Sequence, residues 1–305
     1  MQLPLLSTSW LLLLLSSLTT AATATPAATP AAPATTASPS PSPRFYSNTW
    51  AGAAQVRQNN TSPFSSIEGT LILPRLSLPS NPQNTVDQYS FSYWIGLDGY
   101  QSPGGSGLWQ AGVVGHIFPH NNTRKYVGFW EWIPDPYEFV PVNDFPVLEG
   151  EHVYVRLNVS SNGMLATVYM ENRNSSKVIT HTRSAPTKWR GPSYSIPGTS
   201  AEWIAESGTY ENYTKQVLPD FGTVEFYDAK AFRRDGTVVR AGDARTNGLQ
   251  MFENFWVDSE MLYSNAQVVE GETGVRVEYI EEKCEECAVQ CLAAGTCLNT
   301  TTSTG

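Results

Sequence analysis

The chain has 305 residues, 28 of them acidic against 19 basic, for a formal charge of −9 at pH 7. That length can bury a large core, while the lack of clustered Lys and Arg excludes a nucleic-acid partner, because neutralising phosphates requires such clusters. No segment is apolar for long enough to cross a bilayer, so no membrane partner is expected.

At the N-terminus, Trp10 to Leu18 form a short apolar run followed by small residues up to Ala24. This is the pattern of a secretory signal peptide over residues 1–24. Residues 25–43 are almost entirely Ala, Thr, Pro and Ser, a composition that cannot offset chain entropy and reads as a disordered linker or pro-segment. N-x-Ser/Thr sequons follow at Asn59, Asn60, Asn121, Asn158, Asn174, Asn212 and Asn299. With the leader they favour a secreted, extracellular glycoprotein.

From residue 44 onward helical periodicity is nearly absent. Runs rich in Val, Ile, Tyr, Phe, Trp and Thr alternate with Gly, Pro, Asn and Ser clusters. They predict strands over Gly69 to Leu73, Tyr89 to Leu97, Leu108 to Ile117, Tyr126 to Ile133, His152 to Val159 and Leu165 to Glu171. Further strands are expected over Lys177 to Thr182, Ser200 to Glu206, Gly222 to Ala229 and Gly274 to Tyr279. About ten strands at this spacing predict an all-β, antiparallel β-sandwich over residues 44–281. Turn residues at Ser160 to Gly163 and Asn172 to Ser176 make Glu151 to Thr182 a three-stranded meander. The charged stretch Arg233 to Arg245 reads as a solvated loop. All four cysteines, Cys284, Cys287, Cys291 and Cys297, fall in a tail over residues 282–305. In an exported chain they predict two local disulfides, with three pairings open, and only Cys284 to Cys297 has any helical character.

Zinc, P-loop, nucleophile-elbow and pepsin-type aspartate motifs are missing from the sequence. His116, His120, His152 and His181 read as structural or surface residues. What remains is polar residues set in aromatic strands. In Ala201-Glu-Trp-Ile-Ala-Glu206, alternation places Glu202, Ile204 and Glu206 on one sheet face and Ala201, Trp203 and Ala205 on the other. Trp94 and Asp98 lie in Tyr93-Trp-Ile-Gly-Leu-Asp-Gly99, Gln110 in Leu108-Trp-Gln-Ala-Gly112, and Glu131 in Phe129-Trp-Glu-Trp-Ile-Pro134.

With Ser47-Asn-Thr-Trp-Ala-Gly-Ala53 and Phe221-Gly-Thr-Val-Glu-Phe226, these segments resemble, in order, the glutamic peptidases of fungi, or eqolisins. The resemblance implies a jelly-roll or concanavalin-like sandwich and an acid endopeptidase acting on proteins or peptides through a Glu and Gln dyad. By position it makes Glu202 and Gln110 the dyad, with Trp94, Asp98, Glu131 and Glu206 in supporting roles. Glu202 would then act as the general base on water, while Gln110 would donate to the oxyanion. No metal or organic cofactor is expected, and the protein is expected to be a monomer. Two alternatives remain: a sandwich glycoside hydrolase using Glu202 and Glu131, and a non-catalytic lectin-like module presenting Trp94, Trp130 and Trp132.

Overall fold

The computed structural model describes residues 44–83, 86–104, 106–187, 193–208, 217–246, 248–256, 259–269 and 271–287. The signal and linker segments, Asn212, Asn299, Cys291 and Cys297 lie outside the described residues.

In chain order the strands are β1 (Arg44–Ser47), β2 (Trp50–Val56), β3 (Phe64–Ile72), β4 (Tyr89–Leu97), β5 (Leu108–Phe118), β6 (Thr123–Ile133), β7 (Glu138–Phe139) and β8 (His152–Val159). They continue with β9 (Leu165–Asn172), β10 (Lys177–Ser184), β11 (Ser200–Glu206), β12 (Thr223–Arg233), β13 (Val238–Arg240), β14 (Leu249–Trp256), β15 (Met261–Val269) and β16 (Gly274–Lys283). The expected meander is present, with β8, β9 and β10 paired antiparallel in sequence. The stretch Arg233 to Arg245 corrects the loop expectation, because β13 pairs with β12 inside it. There Arg233 is buried, and its guanidinium donates to Thr61 Oγ1 and to Ser62 O at 2.6 and 2.9 Å. At the start of the tail, Cys284 and Cys287 form a disulfide.

One sheet runs in the order β14-β2-β11-β4-β5-β6-β7 and the other in the order β10-β9-β8-β3-β12-β16-β15. The β14–β15 pairing joins them into one continuous path, and every pairing is antiparallel except that of β1 with β14. The main core lies between the sheets. Alternate residues of the first sheet, among them Ala53, Tyr93, Ile95, Trp109, Trp132 and Trp203, meet Ile67, Leu71, Val155, Val168, Phe226 and Val277 of the second.

Trp94, Trp109, Trp132 and Trp203 are all fully buried. A side chain of that size removes about 150–250 Å² from water, roughly 4 to 6 kcal/mol each before entropy is counted. Among the described residues the indole nitrogen of Trp109 is buried without a partner, whereas the others are paired. Trp203 Nε1 donates to Glu68 O at 3.1 Å and Trp132 Nε1 to Tyr194 O at 2.8 Å.

The small residues of β2 have a steric cause. Gly52 has φ of +135°, and a Cβ there would stand 2.2 Å from the Trp203 carbonyl oxygen on the neighbouring strand β11. Only glycine allows the two strands to pair at that point. The pairing fixes Glu202 opposite Ala54 and Glu206 opposite Trp50, which sets both carboxylates on the face turned away from the core.

Candidate active site

That face carries a cleft of about 420 Å³. Its floor follows from the period of two along β5, which turns Gln110, Val114 and His116 the same way. Glu131 of β6 stands directly across from Gln110, and Lys125 stands across from His116. Glu206 closes one side from the end of β11, while Ile133, Tyr137 and Phe139 form an apolar wall. Gly96, between Glu202 and Gln110 in the cross-strand row, is needed because a Cβ there would meet the Trp94 ring at 2.8 Å.

The hydrogen bonds give each polar group a fixed attitude. Gln110 Nε2 donates to Glu131 Oε2 at 2.5 Å. A carboxylate can only accept, so this contact fixes which end of the amide is nitrogen. It leaves one N–H of Gln110 for another acceptor and leaves Gln110 Oε1 buried without a partner among the described residues. Burial raises the Glu131 carboxyl above its usual range, and the bond from Gln110 pulls it back.

Glu206 is held by two indoles: Trp50 Nε1 donates to Oε1 at 3.1 Å and Trp94 Nε1 donates to Oε2 at 2.7 Å. Burial pushes its pKa up to about 7, the Glu131 charge pushes the same way, and the two indole donors oppose them. The result is an acid with a pKa near neutrality at the edge of an open cleft, a common signature of a working carboxyl.

Glu202 is placed differently. It shares the face of Glu206, as alternation requires, but it is 0% exposed and does not line the cleft. The polar groups nearest its carboxyl are the Ser200 hydroxyl and the Tyr100 backbone, whose hydrogen bonds oppose the effect of burial. Burial raises its pKa well above the ordinary value, and nearby Asp98 adds to the rise. A neutral acid sealed from substrate cannot take a proton from an attacking water, so the geometry sets Glu202, the expected base, apart from the cleft that Glu206 lines.

Asp98 is also sealed, and serves the backbone. It accepts from Gly198 N at 2.8 Å, Thr199 Oγ1 at 2.7 Å, Ser200 N at 3.2 Å and Thr199 N, tying the approach to β11 to the end of β4. Trp94 acts through its bond to Glu206. The structure therefore brings Gln110, Glu131, Glu206 and Trp94 together and leaves Glu202 and Asp98 behind them.

Two contributors were missed in the sequence. Trp50 is one, a donor to Glu206 from a strand whose Ala and Gly content hides it. His116 is the other, read as structural although its even spacing from Gln110 on β5 was a usable signal. Among the described residues no group of three or more His, Cys, Asp or Glu side chains could hold a metal ion.

The sequence model of the peptidase A4 family matches residues 48–279. A crystal structure of a scytalido-glutamic peptidase with a peptide-based transition-state analog aligns with a TM-score of 0.58 at 19% identity, covering 76% of this chain and 98% of that one. A member of the eqolisin family, SCP-B in complex with the tripeptide Ala-Ile-His, aligns at 0.57 and 19% identity, again over 76% and 98%. Aspergilloglutamic peptidase from Aspergillus niger aligns at 0.52 and 24%, over 63% of this chain and 99% of that one. At such identities these structures show that the fold is shared. No curated protein matches the chain.

Proposed function

The chain belongs to the peptidase A4 family and is a glutamic endopeptidase, and from that premise we propose that Glu206 and Gln110 are its working pair. The observation that carries this reading is that both line one cleft while Glu202 is walled off from it.

In the proposed reaction a peptide bond lies across the cleft between the two side chains. Gln110 Oε1, buried without a partner among the described residues, accepts a hydrogen bond from the attacking water. Glu206 in its ionised form takes that water's proton as the new C–O bond forms. The free N–H of Gln110 donates to the developing oxyanion, which a second ionised carboxylate could not do. Glu206 then passes its proton to the departing amine as the C–N bond breaks. Glu131 keeps the Gln110 amide turned the right way.

We further infer that the protein works outside the cell as a monomer and in acidic surroundings. The leader-like N-terminus and the exposed sequon residues Asn59, Asn60, Asn121 and Asn174 support export.

The test is a set of three variants assayed on an unfolded protein substrate. Glu206→Gln should lower kcat/KM by roughly 10²- to 10⁴-fold, the usual contribution of a placed base. Gln110→Ala should cost about 10²- to 10³-fold, as loss of an oxyanion donor does. Glu202→Gln should stay active, because it replaces a neutral buried acid by a neutral isostere. A dead Glu202→Gln beside an active Glu206→Gln would overturn the assignment.

A further inference from the structure

The cleft continues past the dyad along β5 and β6, and its two ends differ in chemistry. One end is the apolar wall of Ile133, Tyr137 and Phe139, all well exposed. At the other end stand His116 and Lys125, directly opposed across the two strands and so side by side on one face.

Among the described residues Lys125 is the only Lys or Arg lining the cleft, and it has neither an ion pair nor a hydrogen bond there. The residue beside it ends a short polar chain. Gln88 Nε2 donates to Ser90 Oγ at 3.3 Å, and Ser90 Oγ lies 2.8 Å from His116 Nδ1. In the tautomer in which Ser90 donates to Nδ1, the ring proton of neutral His116 sits on Nε2. Burial and the Lys125 charge lower the His116 pKa to about 4, so the ring is a neutral donor above that pH.

An ammonium with no counter-ion among the described residues, beside an imidazole N–H, is a receptor for a carboxylate. The catalytic end carries the two acids Glu131 and Glu206 and, among the described residues, no cation to receive the same group, so the cleft discriminates by position as well as by charge. Resting on the peptidase reading, we propose that Lys125 and His116 form a specificity subsite for an acidic side chain of the substrate, with large apolar side chains directed to the opposite end. His116 is six positions along β5 from Gln110, about 20 Å of extended chain. The acidic side chain therefore belongs within about six residues of the cleaved bond, on one side of it only.

The experiment uses pairs of peptides that share one cleavable sequence and differ only in a Glu or Gln moved through successive positions on both sides of the bond. It is run at about pH 6, where a substrate Glu is ionised. Wild type should favour the Glu peptide in kcat/KM by about two- to fivefold at one position, the scale of a partly exposed charge pair. In Lys125→Gln the ratio should fall to about one, and in Lys125→Glu it should reverse. Equal rates for Glu and Gln at every position, or a preference that survives Lys125→Gln, would overturn the subsite. Direct binding of the same peptides to wild type should show the same ratio in Kd. If no peptide is cleaved, the peptidase reading fails while the binding ratio still decides the subsite.

Discussion

Glu206 and Glu131 face one cleft, and each makes the other harder to ionise. That Coulomb term is one of the causes holding Glu206 at about 7, and it can be removed without changing the shape of the site. Glu131→Gln takes away the like charge, so the Glu206 pKa falls. If Glu206 works as a base, the acid limb of the kcat/KM profile rises with its ionisation in the free enzyme. The limb should therefore move to lower pH in Glu131→Gln. Its plateau should fall at the same time, because a neutral amide no longer dictates which end of Gln110 faces it. Trp94→Phe gives the opposite sign: losing an indole donor at 2.7 Å destabilises the carboxylate and moves the limb to higher pH. A profile that falls as Glu206 ionises would assign it the role of acid and overturn the base reading.

At the scale of elements, the apolar wall of the cleft is held from outside its own sheet. Arg183 on β10 pairs with Asp135 at 2.5 Å and with Glu138, the two ends of the segment that joins β6 to β7 and carries Tyr137. Arg183→Ala releases that segment, and KM should rise by about two- to tenfold with kcat nearly unchanged, given that exposed pairs contribute about 0.2–1 kcal/mol each. Steady-state kinetics separate the two parameters, and an unaltered KM would show that the wall stands without the clamp. How much of this was legible in the sequence differs from strand to strand. The ends of β4, β8 and β11 coincide with the sequence reading, because their aromatic and β-branched residues alternate cleanly up to a turn. The strand β2 was hidden by Ala-Gly-Ala-Ala, whose smallness answers the Trp203 carbonyl on β11 rather than any local preference. β14 was hidden because buried Glu253 and Asn254 break its apolar pattern, and their partners include Arg44 and Thr49, which are distant in the chain. Likewise, strand parity put Glu202 and Glu206 on one face correctly but carries no information about depth. Which carboxylate is sealed depends on packing around Tyr100, Asp98 and Ser200.

Across the whole molecule, the buried carboxyls make the fold itself sensitive to pH. Burial raises Glu202 well above its ordinary value, raises Glu206 and Glu253 to about 7, and raises Asp98 and Glu131 to a lesser degree. A carboxyl whose pKa is higher folded than unfolded contributes stability that is complete below the unfolded value, near 4.3 for Glu, and is lost as pH rises through the folded value. Glu225 and Asp243 act in the other sense. Their pKa values are lowered against the pull of burial, Glu225 by the hydrogen bonds from Tyr227 and Arg276 and Asp243 by Arg245, so their contribution is lost as pH falls below the usual carboxylate range. They lie nearer the surface, and screening weakens them. The stability maximum should therefore fall at about pH 4 to 5, with the urea midpoint declining steadily towards pH 7 and 8. Each proton released on that slope costs about 1.4 kcal/mol per pH unit. Glu202→Gln removes one buried acid and should flatten the slope above the unfolded Glu value, whereas Lys125→Gln, on the surface, should leave the slope as it is. A midpoint that stays level or rises from pH 5 to 8 would sink the argument. The same groups then bound activity from two sides. Ionisation of Glu206 raises turnover as pH approaches about 7, while the stability held by protonated Glu253 is lost over the same range. The activity maximum should therefore lie on the acid side of neutrality, and Glu202→Gln should extend it upward.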